Sequence, residues 1–255
     1  MHTIKRLFRK DYTGEDVNIT GVYEDREWHY QTEFISNPFH NLPLSNRAVV
    51  IGNGITRQEF DLKLICDHRV TTAWGQQSDW IPQITAKKFN TYGCNALYRD
   101  YKTDFLIATG DVIIQEIAAS GYCTNSVAYA KKQEIVNFPG KFHVVPQDPQ
   151  WNAGAIAAYL AAFDGNKKVF MLGFDGIDSN NSYNVYSGTN GYQGIESNLS
   201  ESLWIQSLSL VMNTYQDVEF IRVAPTSSYR VPELWKYNLN FRTVDFRQFV
   251  LEADI

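Results

Sequence analysis

Residues 48–51 (AVVI) are apolar without interruption. That pattern suits a strand buried on both faces, as in a parallel sheet, rather than one with a solvent face. Further strand candidates follow at 89–94, 104–109, 126–130, 142–146, 168–172 and 218–223. Between them, 111–119 and 199–215 carry helical patterning, and 153–163 is alanine-rich, so that a helix there can lie close to a sheet. Strands alternating with helices predict a Rossmann-like, doubly wound, mainly parallel α/β sheet over 47–225, with 218–223 as its last core strand.

Residues 1–46 read as a β-rich appendage. Segments 17–22 and 28–34 are rich in β-branched and aromatic residues, and Glu24-Asp25-Arg26 between them predicts a hairpin. Asn37-Pro38 and Leu42-Pro43 mark a linker into the core. Lys5, Arg6, Arg9 and Lys10 form a basic cluster, read as a solvated arm or a contact for a nucleic-acid backbone. Trp74 and Trp80 flank Gly75-Gln76-Gln77 in a stretch without a clear period, which suits stacking on a ring-shaped ligand or plain loop packing. The aromatic and basic tail, 226–255, is expected to pack back on the core.

Composition narrows the classes. Hydrophobic residues at 44% and charged residues at 20% describe an ordinary globular chain, and a net charge of −5 argues against general polyanion binding. The three cysteines, Cys66, Cys94 and Cys123, are widely spaced and lack zinc spacing. They read as reduced thiols, in keeping with a cytoplasmic protein. No signal-peptide pattern or membrane-spanning run is expected.

Candidate chemistry gathers at strand ends. Gly52-Asn53-Gly54 follows the first core strand directly, and Thr56 with Glu59 has capping-box spacing, so a helix is expected from about residue 57. Strand, glycine turn and helix N-terminus together would receive an anion. Ligands of such sheets sit beyond the carboxyl ends of the strands, which would align Gly52–Gly54, Asn95, Gly110 with Asp111, and Gly173–Asp175 along one edge. The loop 176–198 is crowded with Asn, Ser, Gly and Tyr, including Tyr183, Tyr186 and Tyr192. It is expected to act as a lid that orders over a ligand.

Several of these stretches resemble one known group. Val50-Ile51-Gly52-Asn53-Gly54 is similar to the opening motif of the family 42 sialyltransferases and of MAF/DUF115-type proteins. Gly93-Cys94-Asn95-Ala96-Leu97-Tyr98 resembles their second motif, and Asn152-Ala153-Gly154 and Leu172-Gly173-Phe174-Asp175 continue the match in order. Phage proteins carry a run similar to YGCNALYRDYKTDFLIA. The resemblance covers roughly 48–225 and implies a GT-A-like domain that binds a nucleotide-sugar without an obligatory metal.

By that resemblance Asn53 and Gly54 would meet the donor phosphates and Asn95 the nucleotide. Asn152, Ala153 and Gly154 would lie against nucleobase or ribose, with Gly52 and Gly173 completing the donor site. Tyr183 falls where the family places a phosphate-binding tyrosine that assists the leaving group. Four departures stand out. The family's histidine base before the helix at 199 is absent, Ala153 replaces a nucleotide-binding serine, Ile177 lies near the position of a second tyrosine, and Gly110 stands where phage relatives carry Asp.

The expected activity is transfer of a sugar from a nucleotide-sugar to a hydroxyl acceptor: a hydroxymethylated base of phage DNA, a glycan, a protein or a small molecule. Asp111, Asp175 and Glu196 are the candidate bases, with His143 behind them. One alternative is a MAF/DUF115-like pyrophosphokinase, which would use Asp175 and Asp178 to hold magnesium. The other is a phage-type protein that binds a nucleotide without catalysis.

Overall fold

The computed structural model describes residues 2–10, 15–36, 46–66, 73–74, 82–83, 89–134, 136–138, 140–147, 149–175, 184–192, 198–225 and 230–255. The chain opens with β1 (His2–Lys10), β2 (Glu15–Glu24) and β3 (Glu27–Ser36), which form an antiparallel three-stranded sheet. Asp25 and Arg26, both at positive φ (51° and 67°), make the two-residue turn between β2 and β3, as a tight hairpin requires. The basic cluster lies on β1, and the register sets Arg9 opposite Asp16 and Lys10 opposite Glu15.

The core sheet follows. Its first strand is β4 (Arg47–Ile51); after it come the short helix α1 (Lys63–Cys66) and a two-stranded ribbon of β5 (Ala73–Trp74) and β6 (Pro82–Gln83). Next are β7 (Asn90–Cys94), β8 (Phe105–Ile107), α2 (Asp111–Ala119), α3 (Tyr122–Asn125), β9 (Val127–Ala130) and β10 (His143–Val144). The chain continues through α4 (Ala153–Phe163), β11 (Lys168–Leu172), α5 (Asn198–Thr214) and β12 (Glu219–Val223). It ends with α6 (Glu233–Lys236), β13 (Phe241–Val244) and α7 (Phe246–Ala253).

Eight strands make one sheet, in the order β10-β9-β8-β7-β4-β11-β12-β13, and every pairing in it is parallel. The fold is α/β and Rossmann-like. In β4, Ala48 and Val50 face one helical layer while Val49 and Ile51 face the other, and all four are fully buried. The first layer holds α4 and α5. Nearly every residue of α4 is buried, and its alanines let it lie across β4, β7, β8 and β11. The second layer holds α2 at one end and α7 at the other, where Phe249 packs on Phe60 and Phe170.

Two expectations need correction. The sheet does not end at 218–223, because β13 adds an eighth strand parallel to β12. Its sequence, FRTV, carries two polar residues, and its buried positions are fewer, as befits an edge strand. The helix expected from about residue 57 is also absent. Residues Ile55–Glu59 form a 3-10 turn with no side-chain cap. Thr56 is turned to Asp175 instead: its N–H (3.0 Å), which a capping box would give to Glu59, and its hydroxyl both donate to the Asp175 carboxylate.

Candidate functional site

The chain builds outward from β4 through β7, β8, β9 and β10, then restarts on the other side of β4 with β11. The strand order therefore reverses between β4 and β11, and the carboxyl ends of these two strands mark the switch point of the sheet. Gly52-Asn53-Gly54 lies at the end of β4 and Gly173-Phe174-Asp175 at the end of β11. Asn95 and Gly110-Asp111 lie beyond β7 and β8. The expected edge is thus assembled, strand by strand.

The glycines there meet a tighter constraint than ligand approach. Gly52 N–H donates to the Leu172 carbonyl (2.8 Å) and Gly54 N–H to the Gly173 carbonyl (2.9 Å). A Cβ on Gly54 would lie 2.5 Å from the Gly173 carbonyl oxygen and 2.5 Å from Asp175 Oδ2. Gly173 itself has φ +71°, where side chains are strained. The two turns interlock backbone to backbone. Two of the amides expected to meet phosphate are therefore spent inside the fold, and among the described residues no long helix aims its N-terminus at them.

Asp175 ties this junction together. Its carboxylate takes both Thr56 donors and faces Arg222, which is 1% exposed and donates from Nε to the Phe174 carbonyl (2.8 Å). Burial pushes the Asp175 pKa up, against the pull of the Thr56 hydrogen bonds and of Arg222. Burial likewise lowers that of Arg222, and Asp175 opposes the shift.

A short strap crosses the edge. Asn184 bridges to Gly54, and Val185 N–H donates to the Asn53 carbonyl (2.8 Å). Tyr186 is buried between two arginines, with Arg57 5.0 Å and Arg99 5.7 Å from its ring centroid, and its hydroxyl donates to Asp100 (2.6 Å). Burial raises the Tyr186 pKa. Arg99 pairs with Glu116 (2.6 Å) and also donates to Thr189 Oγ1 and the Asn190 carbonyl, while Asn190 donates to Glu116. These bonds pull the Glu116 pKa down to about 2, Arg99 being the main cause. So 184–192, part of the expected lid, is fastened to the strand ends by the protein's own hydrogen bonds.

The remaining candidates have definite places. Asn95 sits at φ 47°, its Oδ1 accepting from Thr109 N–H (2.8 Å). Asn152 caps α4, accepting from Ala155 N–H (2.9 Å). Ala153 is buried, and Gly154 abuts Phe174, whose ring edge would be 3.4 Å from an added Cβ. Asp111 is exposed in the first turn of α2, whose N-cap is Gly110. His143 stacks on Tyr129 (5.3 Å between centroids) in β10, with β9, β8 and β7 between it and β4. Cys94 is held protonated by burial, which pushes its thiol up to about 12.

Tyr183, Glu196, Ile177, Asp178, His68 and Trp80 lie outside the described residues. Among the described residues no group of three or more His, Cys, Asp or Glu side chains could hold a metal, and no helix is long and apolar enough to cross a membrane. The sequence reading missed Arg57, Arg99, Glu116 and Arg222 as parts of this edge. Arg57 carried one available signal, as the one basic residue between Ala48 and Asp61. The pairing of Arg99 with Glu116 spans seventeen positions and had none.

No family model matches the sequence. No curated protein matches it either. One similar solved structure is the sialyltransferase CstII from Campylobacter jejuni in complex with a substrate analogue, cytidine-5′-monophosphate. It is 15% identical, with a TM-score of 0.42 over 71% of this chain and 81% of that chain.

Proposed function

We propose that the protein is a glycosyltransferase that moves a sugar from a nucleotide-sugar to a hydroxyl acceptor. The observation that carries this reading is the gathering of the motif turns around the switch point: Gly52–Gly54, Asn95, Gly110-Asp111 and Gly173–Asp175 end neighbouring strands of one parallel sheet. The donor would lie over that edge, with Asn53 and Tyr183 toward its phosphates, Asn95 toward the nucleotide and Asn152–Gly154 toward base or ribose. Leaving-group charge would then be met by side chains, since the Gly52 and Gly54 amides are engaged.

For the base, Asp111 is exposed at the edge, whereas Asp175 is already holding Thr56. Glu196 stays a candidate on sequence alone. A divalent metal is not required by this reading. The acceptor is a hydroxyl of DNA, a glycan, a protein or a small molecule. Nucleotide binding without catalysis is the second reading, favoured by the absence of the family's histidine before residue 199.

The test is turnover across a panel of nucleotide-sugars and ATP. Sugar release supports the transferase, ATP consumption would mean a pyrophosphokinase, and saturable binding without either would mean the second reading. With a turned-over donor in hand, Tyr183→Phe should lower kcat by roughly one to two orders of magnitude, about the worth of a hydrogen bond to a charged group, with thermal stability nearly unchanged. Unchanged kcat would remove Tyr183 from the mechanism.

A further inference from the structure

The side-chain amide of Asn53 is gripped at both ends. Its Oδ1 accepts from Arg57 Nη1 (2.9 Å), and its Nδ2 donates to the Tyr192 hydroxyl oxygen (3.1 Å). Arg57 cannot swing away easily. It is 2% exposed, the same Nη1 donates to the Gly52 carbonyl (2.7 Å), and its guanidinium lies over the Tyr186 ring. A guanidinium offers donors only, so a flipped Asn53 amide would set N–H against N–H. Arg57 therefore fixes which end of the amide points inward. Tyr192 holds the other end, and the strap that carries Tyr192 is itself pinned to Asn53 through Val185. Counting the amide's capacity, one N–H remains on a half-exposed side chain at the switch point.

We propose that Arg57 and Tyr192 are positioning residues that present the remaining Asn53 N–H to an anionic oxygen of the bound nucleotide. The proposal rests on the nucleotide-sugar reading and deepens it. It makes 184–192 a fixed wall of the donor site, contributed from a distant part of the chain. Preorganisation of this kind strengthens binding because the amide need not be ordered when the ligand arrives.

A double-mutant cycle tests it. The full chain and its Tyr192→Phe, Asn53→Ala and doubly substituted variants are titrated calorimetrically with CMP, CDP, UDP and GDP. Tyr192→Phe should weaken the best-bound nucleotide about 3- to 10-fold, the scale of one hydrogen bond, while the melting temperature changes little. In the Asn53→Ala background the same substitution should have no further effect, because Tyr192 acts through Asn53. Arg57→Lys, which keeps the charge but loses the planar fork, should weaken binding in the same sense. If that buried substitution unfolds the protein, the Tyr192 cycle still decides. Unchanged affinity in Tyr192→Phe, or an equal loss with and without Asn53, overturns the positioning role. Failure of the unaltered protein to bind any of the four nucleotides overturns the functional reading itself, and this role with it.

Discussion

At the residue scale, the two glycine classes of this edge should separate on one substitution each. Gly54 has φ −66° and ψ 149°, a conformation open to any residue, so Gly54→Ala carries no backbone penalty. Its cost is steric: the new methyl would sit 2.5 Å from the Gly173 carbonyl oxygen, and that backbone is pinned by the Gly54 N–H itself. Overpacking of this kind costs about 1–3 kcal/mol, which in a domain of this size lowers Tm by roughly 2–12 °C. Gly154 is different. An alanine there meets only an ordinary 3.4 Å contact with Phe174, inside α4, where alanine is favoured over glycine by about 1 kcal/mol. Gly154→Ala should therefore melt no lower than the parent, and a fall in nucleotide affinity in that variant would report its place beside the ligand. Thermal melts of the two variants check the pair; equal melting temperatures would contradict the interlock.

At the element scale, the strap is held by a network whose keystone titrates. Glu116, on α2, takes Arg99 from beyond β7 and Asn190 from the strap. Its pKa falls from 4.5 to about 2 because these donors favour the charged form, Arg99 most. A carboxylate whose folded pKa is depressed contributes stability above its unfolded pKa and loses it as pH falls through the folded one. The contribution of Glu116 should therefore be complete above about pH 5 and fade between about pH 4.5 and 2. Urea denaturation of the parent and of Glu116→Gln across that range should show a gap that narrows as pH falls. A gap independent of pH would mean the pair contributes nothing through its charge.

The same network shows what the sequence could and could not convey. Helices 111–119 and 153–163 and strand 168–172 were readable to the residue, because local periodicity and burial agree there. The capping-box pattern at Thr56 and Glu59 misled for a reason that is not local: the acceptor for Thr56 is Asp175, distant in sequence and brought near only by the pairing of β4 with β11. Ion pairs such as Arg99–Glu116 leave no periodic trace. The edge itself was legible, since the carboxyl-end rule needs only strand order and direction. Its inner wiring was not.

At the scale of the whole molecule, the two ends of the chain should behave oppositely when removed. Among the described residues the N-terminal sheet of β1–β3 is not hydrogen-bonded into the core sheet and meets it where β1 lies against the edge strand β10. We expect residues 46–255 to fold alone with one cooperative transition, because β4 to β13 and both helical layers remain. The C-terminal residues are no tail in that sense. Trp235 and Phe249 are fully buried; Trp235 packs on Trp204 and donates to the Ile205 carbonyl, and Phe249 fills the layer against Phe60 and Phe170. Removing one buried large aromatic costs about 3–5 kcal/mol. Losing both is thus on the order of 6–10 kcal/mol, comparable to the entire stability of a typical domain of about 5–15 kcal/mol. It would also uncover β12, turning a paired strand into an open edge prone to association. A chain ending at residue 225 should accordingly be recovered unfolded or aggregated, while 46–255 gives a sharp melt by circular dichroism and calorimetry. A cooperative transition in the 1–225 chain would show that β13 and α7 only decorate a sheet that is complete without them.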